Sequence, residues 1–300
     1  MKISIITPSC NKARYISETI ESVLSQEGNF FIEYIVIDNC SHDGTVPILE
    51  EYADRLDNDV FPVRCLGVSF KWVSEADSGL YHAVNKGFSL ATGDIFAWIN
   101  ADDIYLPGAF ALAAQTFLQY PLVMWLKGIT SYIDASSLPT SSGHCYLYNQ
   151  EWLQDGTYGR DAYFVQQDSV FWRVELWRKC GAIPENIRLA GDYWLWIQFS
   201  RLAPLYSMNR TVSCFRKIAG QLSEDVQNYK EECRRIAPVT MDYEQFKRKL
   251  FFLLERWFPV LAGNLLYRIF WARQTHQFID AADPICPVIR KTKGYVVEGT

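Results

Sequence analysis

The 300-residue sequence has no excess of basic residues, because 29 Lys and Arg stand against 34 Asp and Glu, for a net charge of -5. A chain whose main partner is a nucleic acid needs clustered Lys and Arg to neutralise phosphates, so the composition excludes that class. The sequence also lacks a CxxC pair, and the closest two of its eight cysteines, Cys214 and Cys233, are nineteen positions apart. The spacing of a structural zinc site is therefore absent.

Long apolar runs are missing as well. The N-terminal segment has only a short apolar run before polar residues follow. It is too short for a spanning helix and lacks the pattern of a signal peptide. We therefore predict a cytoplasmic protein with reduced cysteines.

The loop after the first predicted strand contains no glycine, since it reads Thr7-Pro8-Ser9-Cys10-Asn11. Dinucleotide-binding loops and P-loops need glycines there so that the backbone can approach the phosphates. Nicotinamide chemistry and ATP hydrolysis are excluded on this ground. A nucleotide bound here is expected to be held by carboxylates and backbone, with a metal at its phosphates.

What the first hundred residues do contain is an alternation of short β-branched runs and helical patterns, which is typical of parallel βαβ units. The predicted strands are 3–7, 34–38, 71–73 and 95–99. We predict an α/β fold with a doubly wound, mostly parallel sheet. From 106 to 225 the pattern loosens into loops, and from 226 to 300 it becomes helical before a proline-broken tail.

Acidic residues follow three of these strands directly: Asp38, the pair Glu75 and Asp77, and the pair Asp102 and Asp103. Asp is also common at strand ends because it suits turns. Three such positions in one half of the chain nevertheless favour a site, since ligands of doubly wound sheets bind outside the carboxyl ends of the strands. We expect these carboxylates to converge on one crevice.

Five ordered motifs resemble family 2 glycosyltransferases of the GT-A fold, of the bacterial polysaccharide-biosynthesis type. They are ITPSCN (6–11), VIDNCSHDGT (36–45), DSGLYHAVNKG (77–87), ATGD (91–94) and WINADD (98–103). The resemblance continues through QDSVFWR (167–173) and AGDYWLW (190–196) and covers about residues 1–223. It implies a nucleotide-sugar-binding half (1–105), an acceptor and catalytic half of the same GT-A domain (106–225), and a C-terminal helical extension and tail (226–300).

The resemblance also implies a nucleoside pocket. Asp38 stands where the family binds the base, and Thr7, Pro8 and Asp77 are expected to line the same pocket. Thr7 and Pro8 lie at the end of the first predicted strand, Asp38 ends the second, and Asp77 follows the third.

The family carries a DxD motif where this sequence has Asn100-Ala101-Asp102. By this correspondence Asp102 holds Mg²⁺ or Mn²⁺ on the donor diphosphate, and Asn100 faces the ribose. The Asn brings no charge, so the sequence departs from a two-carboxylate site. A second departure is Ile218, where relatives carry a His, and we expect Arg216 and Lys217 to neutralise the diphosphate instead.

Asp192 corresponds to the family's general base, which takes a proton from the acceptor hydroxyl. The alternative is a plain helix N-cap, because Asp is a favoured cap residue and an amphipathic pattern follows it. Both roles are compatible with one carboxylate.

The resulting prediction is a metal-dependent, inverting glycosyltransferase. It moves a sugar from a nucleoside-diphosphate sugar to a hydroxyl of a glycan or lipid-linked glycan. Two alternatives stay open: a non-catalytic glycosyltransferase-like partner subunit, suggested by Asn100 and Ile218, and a sugar-phosphate nucleotidyltransferase. Nucleotidyltransferases of that class carry a glycine- and arginine-rich loop after their first strand, and this sequence has no such loop there.

The segment 244–276 has six Lys or Arg and two acids, interleaved with aromatic residues. The basic residues are Lys247, Arg248, Lys249, Arg256, Arg268 and Arg273, and the aromatics include Phe251, Phe252, Trp257, Phe258, Tyr267, Phe270 and Trp271. This composition predicts either peripheral contact with the inner face of a membrane or a helical hairpin packed on the catalytic domain or in a homodimer.

Overall fold

Strands and helices alternate through the first hundred residues of the computed structural model. The structure describes residues 1–161, 163–238, 243–255, 260–271, 275–293 and 295–297, and for residues 255 and 260–263 it describes the backbone alone. The first elements are β1 (Lys2–Ser9), α1 (Ile16–Leu24), β2 (Gly28–Asp38), α2 (Thr45–Asp57), β3 (Cys65–Ser74), α3 (Leu80–Leu90) and β4 (Ile95–Trp98).

The middle of the chain adds strands and helices in a less regular order. They are β5 (Ile104–Tyr105), α4 (Ala109–Gln119), β6 (Trp125–Ile133), β7 (Pro139–Ser141), β8 (Cys145–Tyr146), α5 (Gln150–Gln154), α6 (Thr157–Arg160), β9 (Val170–Arg173), α7 (Val174–Cys180), α8 (Gly191–Leu202) and β10 (Leu205–Arg216). Short 3₁₀ turns occupy Gln167–Ser169 and Leu222–Glu224.

The C-terminal part contains helices and strands. They are α9 (Val226–Ile236), α10 (Tyr243–Glu255), α11 (Val260–Phe270), β11 (His276–Asp280), β12 (Val288–Thr292) and β13 (Val296–Val297). The sequence predicted only helices before an irregular tail, so these three strands are an addition to the prediction.

One large sheet organises the described residues, with the strand order β12-β11-β10-β6-β9-β4-β1-β2-β3. β1 pairs in parallel with β2 on one side and with β4 on the other. β10 likewise lies parallel to β6 and β11, whereas β9 runs antiparallel between β4 and β6. The prediction of an α/β fold with a mostly parallel sheet is confirmed.

The central strands are apolar because helices cover both faces of the sheet. Ile3, Ile5 and Ile6 of β1 are fully buried. β3 is longer than the predicted strand 71–73. The prediction was too short because β3 is an edge strand, and its exposed residues interrupt the apolar pattern. The residues from 106 to 225 are also less loose than predicted, since β6, β9 and β10 continue the same sheet.

The aromatic content of the chain is concentrated in a core beneath the cleft described below. The Trp196 ring stacks on Trp98 and on Trp125, at centroid distances of 5.8 and 5.7 Å. Trp172 and Phe199 pack against the same ring. These rings join α8 to β4, β6 and β9, so they hold the first residues of α8 in a fixed place relative to the sheet.

The two helices α10 and α11 bury part of their aromatic residues against the main hydrophobic core. Phe251, Phe252, Tyr267 and Trp271 are buried, and Trp271 lies 4.7 Å from the Trp152 ring. The packed-hairpin alternative is thus confirmed for these four residues. Arg256, Trp257, Phe258 and Arg273 of the predicted segment lie outside the described residues.

The same two helices expose an apolar face, which we call the hairpin face. Its members are Tyr243, Phe246, Leu250 and Leu253 of α10 and Leu265 and Ile269 of α11. Their exposed fractions run from 37% to 76%. Among the described residues, no helix is both long enough and apolar enough to cross a membrane.

Candidate active site

A cleft of about 1070 Å³ opens at the carboxyl ends of β1, β2 and β4. Pro8 and Ser9 reach it from β1, Asn39 follows β2, and Asn100 follows β4. The N-terminus of α8 contributes Asp192 from the opposite wall. A crevice is therefore present at the predicted edge of the sheet. Of the strand-end carboxylates expected there, Asp77 and Asp102 line it, whereas Asp38, Glu75 and Asp103 do not.

The predicted nucleoside pocket divides into a front and a back layer. Pro8 and Asp77 line the cleft. Thr7 and Asp38 are fully buried behind them. Thr7 Oγ1 accepts a hydrogen bond from the Tyr34 hydroxyl at 3.0 Å.

Asp38 is held by groups that follow β2 and end β3. Its carboxylate accepts hydrogen bonds from the Ser41 N–H at 2.9 Å, the Ser41 hydroxyl at 2.5 Å and the Ser74 hydroxyl at 2.7 Å. Because these bonds occupy both oxygens, Asp38 fixes the loop after β2 in this conformation. The neighbouring Asn39 is the residue of that loop that reaches the cleft.

Asp102 lies in the cleft wall with its carboxylate paired to Lys12. The Lys12 Nζ donates to Asp102 Oδ2 at 2.6 Å, and Gln221 Nε2 approaches the same oxygen at 3.4 Å. Asn100 Oδ1 is buried and accepts no hydrogen bond from the described residues. An acceptor in this position suits a donor such as a ribose hydroxyl.

A metal at Asp102 would have few protein ligands. Within the described ranges, no group of three or more His, Cys, Asp or Glu side chains could hold a metal ion. Mg²⁺ and Mn²⁺ can nevertheless bind through one or two carboxylates completed by phosphate oxygens of the substrate. The residues present therefore fit a divalent cation only together with a diphosphate, and the Lys12 ammonium on Asp102 Oδ2 would compete with that cation.

Arg216 and Lys217 are neighbours in sequence but face different environments. Arg216 is 0% exposed, and its guanidinium donates to the Asp102 carbonyl at 2.8 Å and to Glu18 at 2.7 Å. Its backbone N–H donates to the buried Asp103 at 2.8 Å. Lys217 lines the cleft with its Nζ 4.2 Å from the centre of the Tyr132 ring. Of the two cations expected at the diphosphate, only Lys217 reaches the cleft.

Asp192 is almost completely buried at the start of α8, with 6% of its surface exposed. Burial raises the pKa of its carboxyl to about 7, against a hydrogen bond from the Tyr193 N–H that lowers it, and the charge of Glu232 adds to the increase. The N-cap position belongs to Ala190, so Asp192 is the second residue of the helix and does not fill the N-cap role. A carboxylate with a pKa near 7 suits proton transfer at neutral pH.

Several cleft residues were not anticipated from the sequence. Lys12 directly follows the ITPSCN motif (6–11). Its place next to that motif could have identified it as a cleft residue. Tyr229 and Lys230 of α9 also line the cleft. They belong to the segment interpreted as an extension, and nothing in their local pattern indicates that α9 returns to the cleft.

The model of the family named Glycosyl transferase family 2 matches residues 4–159, which is more than half of the chain. The chain belongs to glycosyltransferase family 2. TuaG of Bacillus subtilis, named as a teichuronic acid biosynthesis glycosyltransferase, is 37% identical over 101 residues, which cover 34% of this glycosyltransferase chain and 36% of the relative. The first curated relatives are matched over 36% to 68% of their own length.

Solved glycosyltransferases share the fold of this family member. The structure of TarS 1-349 of S. aureus, in complex with UDP-GlcNAc, has a TM-score of 0.60 at 18% identity, with 85% of this chain and 72% of the other covered. The mannosyltransferase PcManGT of Pyrobaculum calidifontis, in complex with GDP-Man and Mn²⁺, has a TM-score of 0.55 at 17% identity, with 90% and 73% covered. At these identities the likeness is one of fold, and it agrees with a GT-A architecture.

Proposed function

We propose that the protein is an inverting glycosyltransferase that moves a sugar from a nucleoside-diphosphate sugar to an acceptor hydroxyl. The observation that carries this proposal is the placement of Asp192. Its buried carboxyl, with a pKa raised to about 7, faces the same cleft as the strand-end residues Asp77 and Asp102. Family membership and the titles of the two solved structures, which name UDP-GlcNAc and GDP-Man, support a nucleotide-sugar donor.

In this proposal the donor nucleoside lies near Pro8, Asn39 and Asp77, backed by Thr7 and Asp38. Asn100 Oδ1 accepts a hydrogen bond from a ribose hydroxyl. The oxygen of the acceptor hydroxyl attacks the anomeric carbon from the face opposite the diphosphate. Asp192 accepts the proton of that hydroxyl in the same step. The carbon–oxygen bond to the diphosphate breaks in the same step, so the configuration inverts and the nucleoside diphosphate leaves as an anion.

The departing diphosphate needs positive charge, and the ammonium groups in the cleft are those of Lys12, Lys217 and Lys230. Preorganised cations aimed at developing charge are among the strongest contributions to catalysis. Mg²⁺ or Mn²⁺ bound by Asp102 and the donor phosphates would supply further neutralisation of the same charge. Arg216 contributes indirectly in this scheme, because it fixes the Asp102 backbone and the loop that carries Lys217.

The proposal is tested by the release of nucleoside diphosphate from UDP-GlcNAc, UDP-glucose and GDP-mannose, with and without Mn²⁺. We expect one donor to be hydrolysed slowly in a metal-dependent reaction. Asp102→Ala should lose the metal dependence of nucleoside-diphosphate binding, whereas Asp192→Asn should bind the donor normally and lose about 10²- to 10⁴-fold in rate. Undiminished metal-dependent affinity in Asp102→Ala would contradict the assignment of Asp102.

A non-catalytic binding subunit is the second candidate, favoured by Asn100, Ile218 and the Lys12–Asp102 ion pair. The same assay separates the two functions. A protein that binds a donor and turns none of it over, in the parent as in Asp192→Asn, would favour the binding subunit. Turnover in the parent alone would favour the enzyme.

We further propose a glycan or lipid-linked glycan as acceptor, and peripheral attachment to the cytoplasmic face of a membrane through the hairpin face. The name of TuaG supports a polysaccharide context. The hairpin face supports attachment because its exposed apolar side chains are accompanied by the exposed cations Lys249 and Arg268. Apolar side chains with basic neighbours favour an anionic lipid surface.

Co-sedimentation with vesicles of phosphatidylglycerol and phosphatidylcholine tests this attachment in the full chain. We expect Phe246→Ser combined with Leu253→Ser to reduce pelleting, and the control Leu122→Ser combined with Leu138→Ser to leave it unchanged. Leu122 and Leu138 lie outside the hairpin and are at least as exposed as Phe246 and Leu253. Equal pelleting of both variants would contradict the proposal, and a concentration-dependent dimer lost only in the first variant would indicate a homodimer face.

A further inference from the structure

A carboxylate of α9 holds the backbone that leads into α8. Glu232 Oε1 accepts the N–H of Arg188 at 2.9 Å, and Glu232 Oε2 accepts the N–H groups of Leu189 and Ala190 at 2.7 and 2.6 Å. Three consecutive backbone donors therefore converge on one side chain. Hydrogen bonds to a charged acceptor are stronger than those between neutral groups.

The same backbone is fixed from the other side by α3. The Tyr81 hydroxyl donates to the Leu189 carbonyl at 2.8 Å. The Tyr81 ring also fills the space beside Gly191, where a Cβ would lie 2.6 Å from ring atoms. The three residues before Gly191 are thus held by contacts from both α3 and α9. Asp192 directly follows Gly191.

We infer that Glu232 is a positioning residue for the general base, holding the turn that aims Asp192 into the cleft. This inference rests on the proposed function, in which Asp192 takes the acceptor proton. It extends that function to α9, a helix that lies outside residues 4–159 and places Tyr229 and Lys230 in the same cleft. The helix is then part of the catalytic machinery and is not an appendage.

The charge of Glu232 gives the inference a second readout. The titratable groups that face Asp192 are Tyr81 of α3 and Tyr229, Cys233 and Glu232 of α9. Burial raises the pKa of Tyr81, Tyr229 and Cys233, so these three are neutral at pH 7. Glu232 is the anionic member of this set, and its charge helps to keep the pKa of Asp192 high.

The test compares Glu232→Gln with Glu231→Gln, its neighbour on α9, in the nucleoside-diphosphate release assay. Gln cannot accept all three N–H groups because one of its two terminal atoms is itself a donor. We expect kcat to fall about 10- to 100-fold, as displacement of a catalytic group by about 1 Å would produce. The donor KM should change by less than about twofold, since the donor is bound elsewhere in the cleft.

The pH profile separates positioning from simple loss of structure. Removing the negative charge lowers the pKa of Asp192, so the acid limb of the kcat profile should move to lower pH in Glu232→Gln. Glu232→Asp keeps the negative charge on a shorter side chain, which cannot contact the three N–H groups in the same way. It should lower kcat while the acid limb of the profile stays in place. Glu231→Gln should match the parent in both readouts.

Parental kcat and an unmoved acid limb in Glu232→Gln, with Asp192→Asn inactive, would overturn the inference and leave the proposed function intact. Turnover in Asp192→Asn would instead refute the proposed general base. Failure of both Glu232→Gln and Glu232→Asp to fold, judged by circular dichroism, would also overturn the inference, because Glu232 would then be required by the fold itself.

Discussion

Replacing Asp192 by Asn is expected to stabilise the protein at neutral and alkaline pH while it abolishes transfer. Asn has nearly the same shape, and its Oδ1 can keep the hydrogen bond that Asp192 accepts from the Tyr193 N–H at 2.7 Å. What the substitution removes is an ionisable group that is buried with almost no exposure. A charge in such a place is costly, so its removal should benefit the folded state.

The magnitude follows from the pKa of Asp192, which burial raises from 3.8 to about 7. One pKa unit corresponds to about 1.4 kcal/mol, so the full effect is at most roughly 4 kcal/mol. Between these two pH values the folded chain keeps a proton that the unfolded chain has lost. The contribution of Asp192 to stability therefore falls as the pH rises from about 4 to about 7, and the reduction is complete above that window.

Urea unfolding of the parent and of Asp192→Asn between pH 4 and pH 8 measures the difference. We expect nearly equal stability at pH 4 and a growing advantage of the variant that levels off near pH 8. Asp57→Asn, at an exposed carboxylate that ends α2, should show no such trend. A difference that stays flat with pH, or a variant that is less stable at pH 8, would refute the reasoning about burial.

Two other substitutions test the geometry around the cleft. Lys12→Met should strengthen Mn²⁺ binding to the protein saturated with nucleoside diphosphate in titration calorimetry, because the ammonium 2.6 Å from Asp102 competes with the metal; equal affinities would show that the ion pair does not matter. Gly191→Ala should destabilise the fold by about 1–3 kcal/mol in urea unfolding, since the new Cβ overlaps the Tyr81 ring. Adding Tyr81→Leu should recover part of that loss, and no recovery would mean that the strain lies elsewhere.

The part of the fold that the sequence predicts best is the part with strands buried on both faces. β1 and β4 appear as continuous apolar runs because the sheet has helices above and below them. Their ends could therefore be located, and with them Pro8 and Asn100 in the cleft. β11 and β12 were missed because their exposed and buried residues mix polar and apolar types without a clear period.

The roles of Arg216 and Lys217 show a limit of a different kind. Successive side chains of a strand point to opposite faces of the sheet, so only one of two adjacent cations can face a given ligand. The sequence does not say which face of β10 is towards the cleft. Two partners decide it, the buried Asp103 and the exposed Glu18, and both are far from Arg216 in sequence.

Glu232 illustrates why other parts of the site could not be predicted from the sequence. Its partners are three backbone N–H groups more than forty residues earlier in the chain. Backbone donors leave no trace in the amino-acid sequence. Only the tertiary structure can therefore connect α9 to the turn before Asp192.

The place of β11 in the sheet has a consequence for synthesis on the ribosome. β11 covers the edge of β10, yet it begins 60 residues after β10 ends. While those residues emerge, the stretch of β10 around Ser207 and Met208, where β11 later pairs, has no strand beside it on that side. The other end of β10 is already paired with β5. Uncovered strand edges are sites of intermolecular pairing, and domains commonly begin to fold during synthesis. A nascent chain arrested between β10 and β11 should therefore be the form of this protein that is most prone to aggregate.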